Sequence, residues 1–479
     1  MEIRKKLFLA LIILFMVANG CKKDKDGPDG PDGTHDPIGG DYFVAPGGND
    51  SNPGTEEKPW ATWQKAFETA EAGDTVYFRG GVYLIETSGF GNNITMISPS
   101  AGLGHDGKPG EPVCFFNYPG EVPVLDCKLI ATAGNFNTGI FLNRVNYVHF
   151  RGLTIRNVKQ KKDNVECFGI GATDCSNITY QNITIHDIGG NAFRHGGAFG
   201  YYPNIAYDTT KFLNCDAYNC CDSLARLPGA TLGNAADGYK TWNEPGSVFI
   251  FDGCRAWKCS DDGFDPGATP LVVLNNCWSF NNGILTGDGT GFKTGGNLVP
   301  ISYVNRVVVN CIAAFNAGSG FFLLEYADYF RTNARLYNNV SYKNGKQGFH
   351  FSRNEAQPTI LGIWRNNISY QNTGVDFDNA YQVYTESNNS WDFVPGSYPG
   401  YVPSAEVTVT DADFVSLNPD GLSGARKEDG SLPDIDFFKL ATGSDLKGAG
   451  MYVGMSNPSD IGIDWTFVKS LKNYTNFSN

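Results

Sequence analysis

The 479-residue sequence is short of charge, and of positive charge above all. Only 18% of its residues are charged, and 37 basic residues face 50 acidic ones, giving a formal net charge of −13. Without a basic surplus the chain cannot neutralise a run of phosphates, which excludes a general nucleic-acid-binding role. An anionic sugar polymer stays open, because bound Ca²⁺ and a few local Lys or Arg side chains can invert the sign at one site. No apolar run reaches the roughly 20 residues of a membrane-spanning helix. No CxxC pair with a second partner pair occurs, so the 12 Cys do not spell a zinc site. His186, His195 and His350 are isolated and read as turn or surface residues, and no phosphate-cradling loop stands out from the 58 Gly.

The one concentrated apolar stretch is Leu7 to Ala18, behind Arg4, Lys5 and Lys6 and ahead of Ala18-Asn19-Gly20-Cys21. A basic start, a short apolar core and small residues before a Cys are the marks of a lipoprotein export signal. Residues 1–21 are therefore expected to be a signal peptide, with Cys21 as the lipidated residue. Residues 22–40, KKDKDGPDGPDGTHDPIGG, read as a flexible tether. The expected location is the outer membrane, on either its periplasmic or its outer side.

The rest of the chain repeats itself. GLTI at Gly152 recurs as NITI at Asn182, NCDA at Asn214, GCRA at Gly253, NCWS at Asn276, NCIA at Asn310, NVSY at Asn339 and NISY at Asn367. Gly followed by an aromatic recurs at Gly238, Gly263, Gly291, Gly320 and Gly348, in steps of 25, 28, 29 and 28 residues. Two registers with one period imply one solenoid coil per repeat and several strands per coil, an all-β parallel β-helix. Columns of equivalent residues then stack about 4.8 Å apart. On this alignment Cys215, Cys254, Cys277 and Cys311 share an interior column with Leu153, Ile183, Val340 and Ile368, as buried small hydrophobes. Asn281, Asn316, Asn344 and Asn372 read as an Asn ladder at a turn. Trp63 to Ala72 is an amphipathic helix that caps the open N-terminal end, and so protects strand edges that would otherwise aggregate. The solenoid is expected over 41–400, with residues 401–479 as a C-terminal segment packed upon it.

The Gly-aromatic step also aligns the candidate chemistry. Asp237 and Asp262 precede the Gly, Asp261 adjoins Asp262, and Lys240, Asp265 and Lys293 follow the aromatic. Asp237 should stack beneath Asp262, and Asp265 between the two lysines. Stacked carboxylates repel unless neutralised, and four hard oxygen donors on a rigid frame suit Ca²⁺. A uronic acid glycoside carries a C6 carboxylate, a weakly acidic C5–H and a leaving group at O4. Ca²⁺ on that carboxylate stabilises the anion that develops when a neutral Lys removes the C5 proton. Lys293 and Lys240 are both placed for that task. Arg194 and Arg226 can reach substrate carboxylates, although an exposed Arg usually has no such role. Trp242, Trp257 and Trp278 suit sugar stacking and core packing equally.

AADGYK at Ala235, CSDDGFD at Cys259, GTGFKTGG at Gly289 and the opening DYFVAPGGNDSNPGT…PWATWQKA resemble the motifs of polysaccharide lyase family nine. The resemblance covers roughly residues 41 to 450. It implies a right-handed parallel β-helix acting on pectate or on rhamnogalacturonan I. It also implies Asp237, Asp261, Asp262 and Asp265 as Ca²⁺ ligands and Lys293 as catalytic base, leaving Lys240, with Arg226, for substrate binding. The expected partner is an acidic pectin-type polysaccharide, the expected cofactor Ca²⁺, and the expected state a monomer. The rivals are a pectin hydrolase on the same fold, whose GHG and RIK motifs are missing, and a non-catalytic glycan-binding surface protein, which gives Lys293 no reason to stand beside the acids.

If the cysteine column is interior, Cys215→Ala should cost about 1–3 kcal/mol as a core truncation. Denaturant unfolding measures this, and an unchanged midpoint would place Cys215 outside the core.

Overall fold

The structure, a computed structural model, describes residues 39–85, 89–90, 93–130, 136–197, 209–242, 248–267, 271–295, 303–324, 331–352, 361–379, 383–391, 407–455 and 459–466. The expected export signal, Cys21 and the expected tether up to residue 38 lie outside the described residues.

Among the described residues the coils build three parallel sheets, of 12, 10 and 10 strands. The chain runs from the long 12-stranded sheet (Tyr42–Val44 through Val383–Ser387), round a tight turn, to a sheet of short strands (Gly81–Leu84 through Ile368–Tyr370). A wider turn leads to the third sheet (Asn93–Ile97 through Phe377–Asn379), called the site sheet below. The molecule is an all-β, right-handed parallel β-helix with one helix near its N-terminus, the hand favoured by twisted parallel strands.

The tight turn explains the recurring phrase. It holds one residue per coil at positive φ: Gly152 at 68°, Asn182 at 52°, Asn214 at 54°, Gly253 at 64°, Asn276 at 51° and Asn310 at 60°. Gly and Asn adopt this left-handed conformation at least cost. In the next two coils the turn residues are Asn338 and Asn366, not Asn339 and Asn367. The interior column therefore runs one residue off the sequence alignment at its end. Ile312 pairs with Val340 and Val340 with Ile368, so Cys311 is followed by Asn339 and Asn367, not by Val340 and Ile368.

This register gives the column one physical rule. The thiols of Cys215, Cys254, Cys277 and Cys311 each donate to a carbonyl of the coil before, those of Tyr180, Phe212, Phe251 and Leu274, over 3.3–3.6 Å. Asn339, Asn367 and Asn389 make the same bond with their amide nitrogens, to Val308, Leu336 and Trp364, each at 2.9 Å. A second Asn column contains Asn282, Asn316, Asn344 and Asn372, linked by amide-to-amide bonds of 2.9–3.0 Å. Asn281 is not in it: it takes the adjoining left-handed position at φ 56°. Beside these runs an aromatic stack, Tyr239–Phe264–Phe292–Phe321–Phe349, with centroids 4.6–5.0 Å apart.

The helix is shorter than the pattern suggests, Trp63–Thr69. Thr62 caps it by accepting from Lys65 N, and Asp50 in turn holds Ala61 N, Thr62 N and the Thr62 hydroxyl. Ala70 is already extended, and Gly73 at φ 93° turns the chain into the first sheet. Phe67 meets Phe78, Phe115 and Phe150, which closes the N-terminal end of the core.

Residues 407–449 and 461–465 pack across the short-strand sheet, while Val453 and Met455 join Val273, Val307 and Val309 of the long sheet. Phe414, Phe437, Phe438 and Leu446 cover Tyr342 and Ile368, in one cluster with Trp257 and Trp278. Those two tryptophans are thus core residues, away from any sugar. A buried ion network locks the segment down: Asp216 pairs with Arg255 at 2.7 Å and Arg426 at 2.6 Å. Arg255 also donates to the carbonyls of Leu422 and Gly424.

Burial alone would raise the Asp216 pKa, but the two guanidinium groups outweigh it and hold it below the ordinary value. Its contribution is therefore present above the unfolded carboxylate pKa and is lost as pH falls through the depressed one. Asp216→Asn should destabilise by about 3–5 kcal/mol, because two buried cations lose their partner. Urea unfolding at neutral pH tests this, and limited proteolysis should show release of the C-terminal segment. A stability loss below 1 kcal/mol would remove the network from the account.

Candidate active site

The acids and lysines sit where the site sheet leaves the wide turn. In-register pairing makes Lys240 the neighbour of Asp265. Lys293 lies one coil further on, because Phe264 pairs with Phe292. Side chains alternate along a strand, so Tyr239, Phe264 and Phe292 point into the core while Lys240, Asp265 and Lys293 point out. The residues ahead of them form a polar ladder through the turn. Asp237 N donates to Asn191 Oδ1 at 2.8 Å, Asp262 N to Asp237 Oδ1 at 3.0 Å, and Thr290 N to Asp262 Oδ1 at 2.7 Å. Each aspartate thus gives one oxygen to the next coil's backbone and keeps the other for the site.

Those second oxygens meet the lysines. Asp237 Oδ2 is 3.4 Å from Lys240 Nζ, which also pairs closely with Asp265 Oδ2. Asp262 Oδ2 has only Lys293 Nζ at 3.0 Å, outside hydrogen-bond geometry. Lys293 Nζ donates instead to Asp288 Oδ2 at 2.8 Å. Asp237, Asp261, Asp262 and Asp265 are all buried.

Burial dominates the electrostatics. It pushes Asp261 up to about 9, with Asp262 and Asp237 adding to the rise. It pushes Asp262 up to about 7 against the pull of Lys293. Asp237 is raised by burial in the same way, against Lys240. For Lys293 burial favours the neutral amine, but Asp262, Asp265 and Asp288 outweigh it and hold the ammonium form. Lys240 is held charged, against burial, by Asp265 and Asp237. The site carries more negative charge than its two lysines settle.

The donor set fits a divalent cation. Carboxylate oxygens of Asp237, Asp262 and Asp265 lie within 4.8 Å of one another. That is the widest separation of two oxygens that both sit about 2.4 Å from one Ca²⁺. Asp261 belongs to a second such group, with Asp262 and Asp288. One Asp261 oxygen accepts from Asp288 N at 2.8 Å. Asp262 is shared by both groups.

Of the other candidates, Arg226 forms an ion pair with Glu166 at 2.7 Å. Trp242 packs its ring against Arg194. Asp288 and Asn191 were not legible as site residues. Asp288 precedes Lys293 by five residues in an unaligned turn. Asn191 lies in a coil where Ala192-Phe193 replaces the Gly-aromatic step.

The family model described as "Pel9A-like, right handed beta helix region" matches residues 42–355. Pectate lyase L of Dickeya dadantii is 31% identical over 428 residues, covering 85% of each chain. The crystal structure of pectate lyase Pel9A superposes with a TM-score of 0.65 at 26% identity, over 88% of this chain and 95% of that one. A rhamnogalacturonan lyase shares the fold, with a TM-score of 0.64 at 24% identity over 84% of this chain and 96% of that one.

Asp262→Ala should weaken Ca²⁺ binding by more than about tenfold, read by calorimetric titration. With Asp262 titrating near 7, the wild-type affinity for Ca²⁺ should fall as pH drops from 8 to 6, because protons then compete for the carboxylate. A pH-independent affinity would place the ion elsewhere.

Proposed function

This chain belongs to the Pel9A-like right-handed β-helix family and is a polysaccharide lyase, and we propose that it cleaves galacturonate-containing pectin by Ca²⁺-assisted β-elimination, with Lys293 as base. The observation that carries this reading is the single outward patch in which Lys293 Nζ stands 3.0 Å from Asp262, itself grouped with Asp237 and Asp265.

Asp237, Asp262 and Asp265 would hold the ion, with Asp261 completing the acidic wall. A bound Ca²⁺ would supply compensation for the buried acids and Lewis-acid stabilisation of the C6 carboxylate as charge develops beside it. Lys293 takes the C5 proton, the C5–H electrons form the C4–C5 double bond, and the C4–O4 bond breaks. The departing oxygen takes a proton from solvent, and the product carries a 4,5-unsaturated uronate. Lys293 serves as base only when neutral, and in the metal-free site its acidic neighbours oppose that form. Lys240, tied to Asp265 and Asp237, steadies the acids and lines the substrate path. We further propose that the enzyme is exported and held at the outer membrane through lipidated Cys21, with residues 22–40 as tether.

The test is an ultraviolet assay for unsaturated product from polygalacturonate and from rhamnogalacturonan I, with Ca²⁺ and with chelator. Absorbance should rise only with Ca²⁺, and faster at higher pH. Lys293→Ala should lower kcat by about 10²–10⁴-fold while Ca²⁺ binding persists. New reducing ends without absorbance would refute elimination, and activity kept by Lys293→Ala but lost by Lys240→Ala would move the base to Lys240.

A further inference from the structure

The outward column that carries Lys240, Asp265 and Lys293 extends one coil towards the N-terminus, to Arg194, the strand neighbour of Lys240. The Arg194 guanidinium lies between two rings. Its carbon is 3.7 Å from the centroid of Trp242 and 4.6 Å from that of Phe168. Phe168 is buried, and Trp242 is pinned by its indole N–H, which donates to Gly197 O at 3.1 Å. The guanidinium is therefore in close contact with two rings, and among the described residues no side chain or carbonyl accepts a hydrogen bond from it.

Among the described residues no carboxylate pairs with Arg194. The nearest acid in its field is Glu166, and Glu166 is committed to Arg226 at 2.7 Å. Burial lowers Arg194 to about 10, so it stays charged at neutral pH. A half-buried, ring-clamped guanidinium without an acid is costly to keep. It is also preorganised, since a planar fork held by its faces can accept a carboxylate edge-on through two N–H groups.

We propose that Arg194 is a specificity-determining residue forming a second uronate subsite, on the N-terminal side of the centre; this rests on the uronate-lyase reading above. The subsite is two coils from Asp265, about 10 Å along the axis. A linked pyranose advances a polymer by roughly one coil spacing. The groove therefore reads two carboxylates separated by one sugar. At the intervening coil Lys240 is already paired with Asp265 and Asp237, so that position offers no spare cation. The two carboxylates are thus met two coils apart.

The first measurement is steady-state lyase kinetics of wild type, Arg194→Ala and Arg194→Lys on polygalacturonate and rhamnogalacturonan I. Arg194→Ala should raise KM about 10–100-fold, the loss of a charge-assisted bidentate pair, with kcat within a few-fold of wild type. Arg194→Lys keeps charge without the fork and should fall between. Ca²⁺ binding should be the same in all three, which separates subsite loss from a damaged centre. The second measurement is calorimetric binding of trigalacturonate to Lys293→Ala and to Lys293→Ala/Arg194→Ala, which needs no turnover. Weaker binding in the double variant supports the subsite; equal binding, or a kcat loss at unchanged KM, overturns it. Absence of unsaturated product from the wild type on either polymer would sink the lyase reading, and the binding comparison would still decide the subsite.

Discussion

The structure depends on register. Parallel coils pair residue against residue, and a slip of one position would send every interior side chain to the surface. What holds the register is a set of buried donors, each aimed at a carbonyl of the coil before. Four thiols do this from Cys215 to Cys311, and amides do it from Asn339 to Asn389. A thiol is a weak donor but small and apolar enough for a tight core. An amide is bulkier and makes more bonds, so Asn339 also receives Cys311 N at 2.9 Å. One positional demand, met by two chemistries, accounts for four free cysteines in one buried column.

The same frame allows like charges to be buried side by side. In a flexible loop, Asp237, Asp262 and Asp265 would swing apart. Here Asp237 and Asp262 are each held by the backbone N–H of the following coil, which fixes one oxygen and aims the other at the site. The unpaid electrostatic cost appears in the raised pKa values of Asp261 and Asp262. Lys240 and Lys293 lean on the acids and relieve only part of it. A site strained in this way favours any cation that the oxygens can surround, and its acids hold both lysines in the ammonium form.

The chemistry was more legible in the sequence than the packing, for a physical reason. The Gly-aromatic step marks the point where an inward ring stacks, and the residues that flank it must alternate outward, so the neighbours of Asp237, Asp262, Asp265 and Lys293 could be aligned by counting. The interior column was misaligned from Asn339 onward, because Asn-Asn at 338–339 and 366–367 offers two equivalent choices and only backbone φ separates them. The same ambiguity put Asn281 in place of Asn282. The helix ran short because Ala70 and Ala72 continue an apolar pattern that Gly73 and the Asp74 side chain interrupt. Arg194 was visible as a candidate for a substrate carboxylate but not as a member of the outward column, since Ala192-Phe193 hides its coil from the motif. Its value comes from two rings, Phe168 and Trp242, distant in sequence.

The faces of the solenoid are not equivalent. The short-strand sheet is covered by residues 407–449 and 461–465, fastened through Asp216, Arg255 and Arg426. The N-terminal end is closed by Trp63–Thr69. Beyond Lys293 the outward column of the site sheet continues as Phe322 and His350, stacked at 4.5 Å. It then reaches Asp378, 3.6 Å from His350. From Arg194 to Asp378 the column therefore passes from a cation with no acid partner among the described residues, through clustered acids and lysines, to stacked rings and an acid that accepts from Gln347 at 3.2 Å. Its two ends carry opposite charge, so the column has an electrostatic polarity along the axis that the repeating fold alone does not supply.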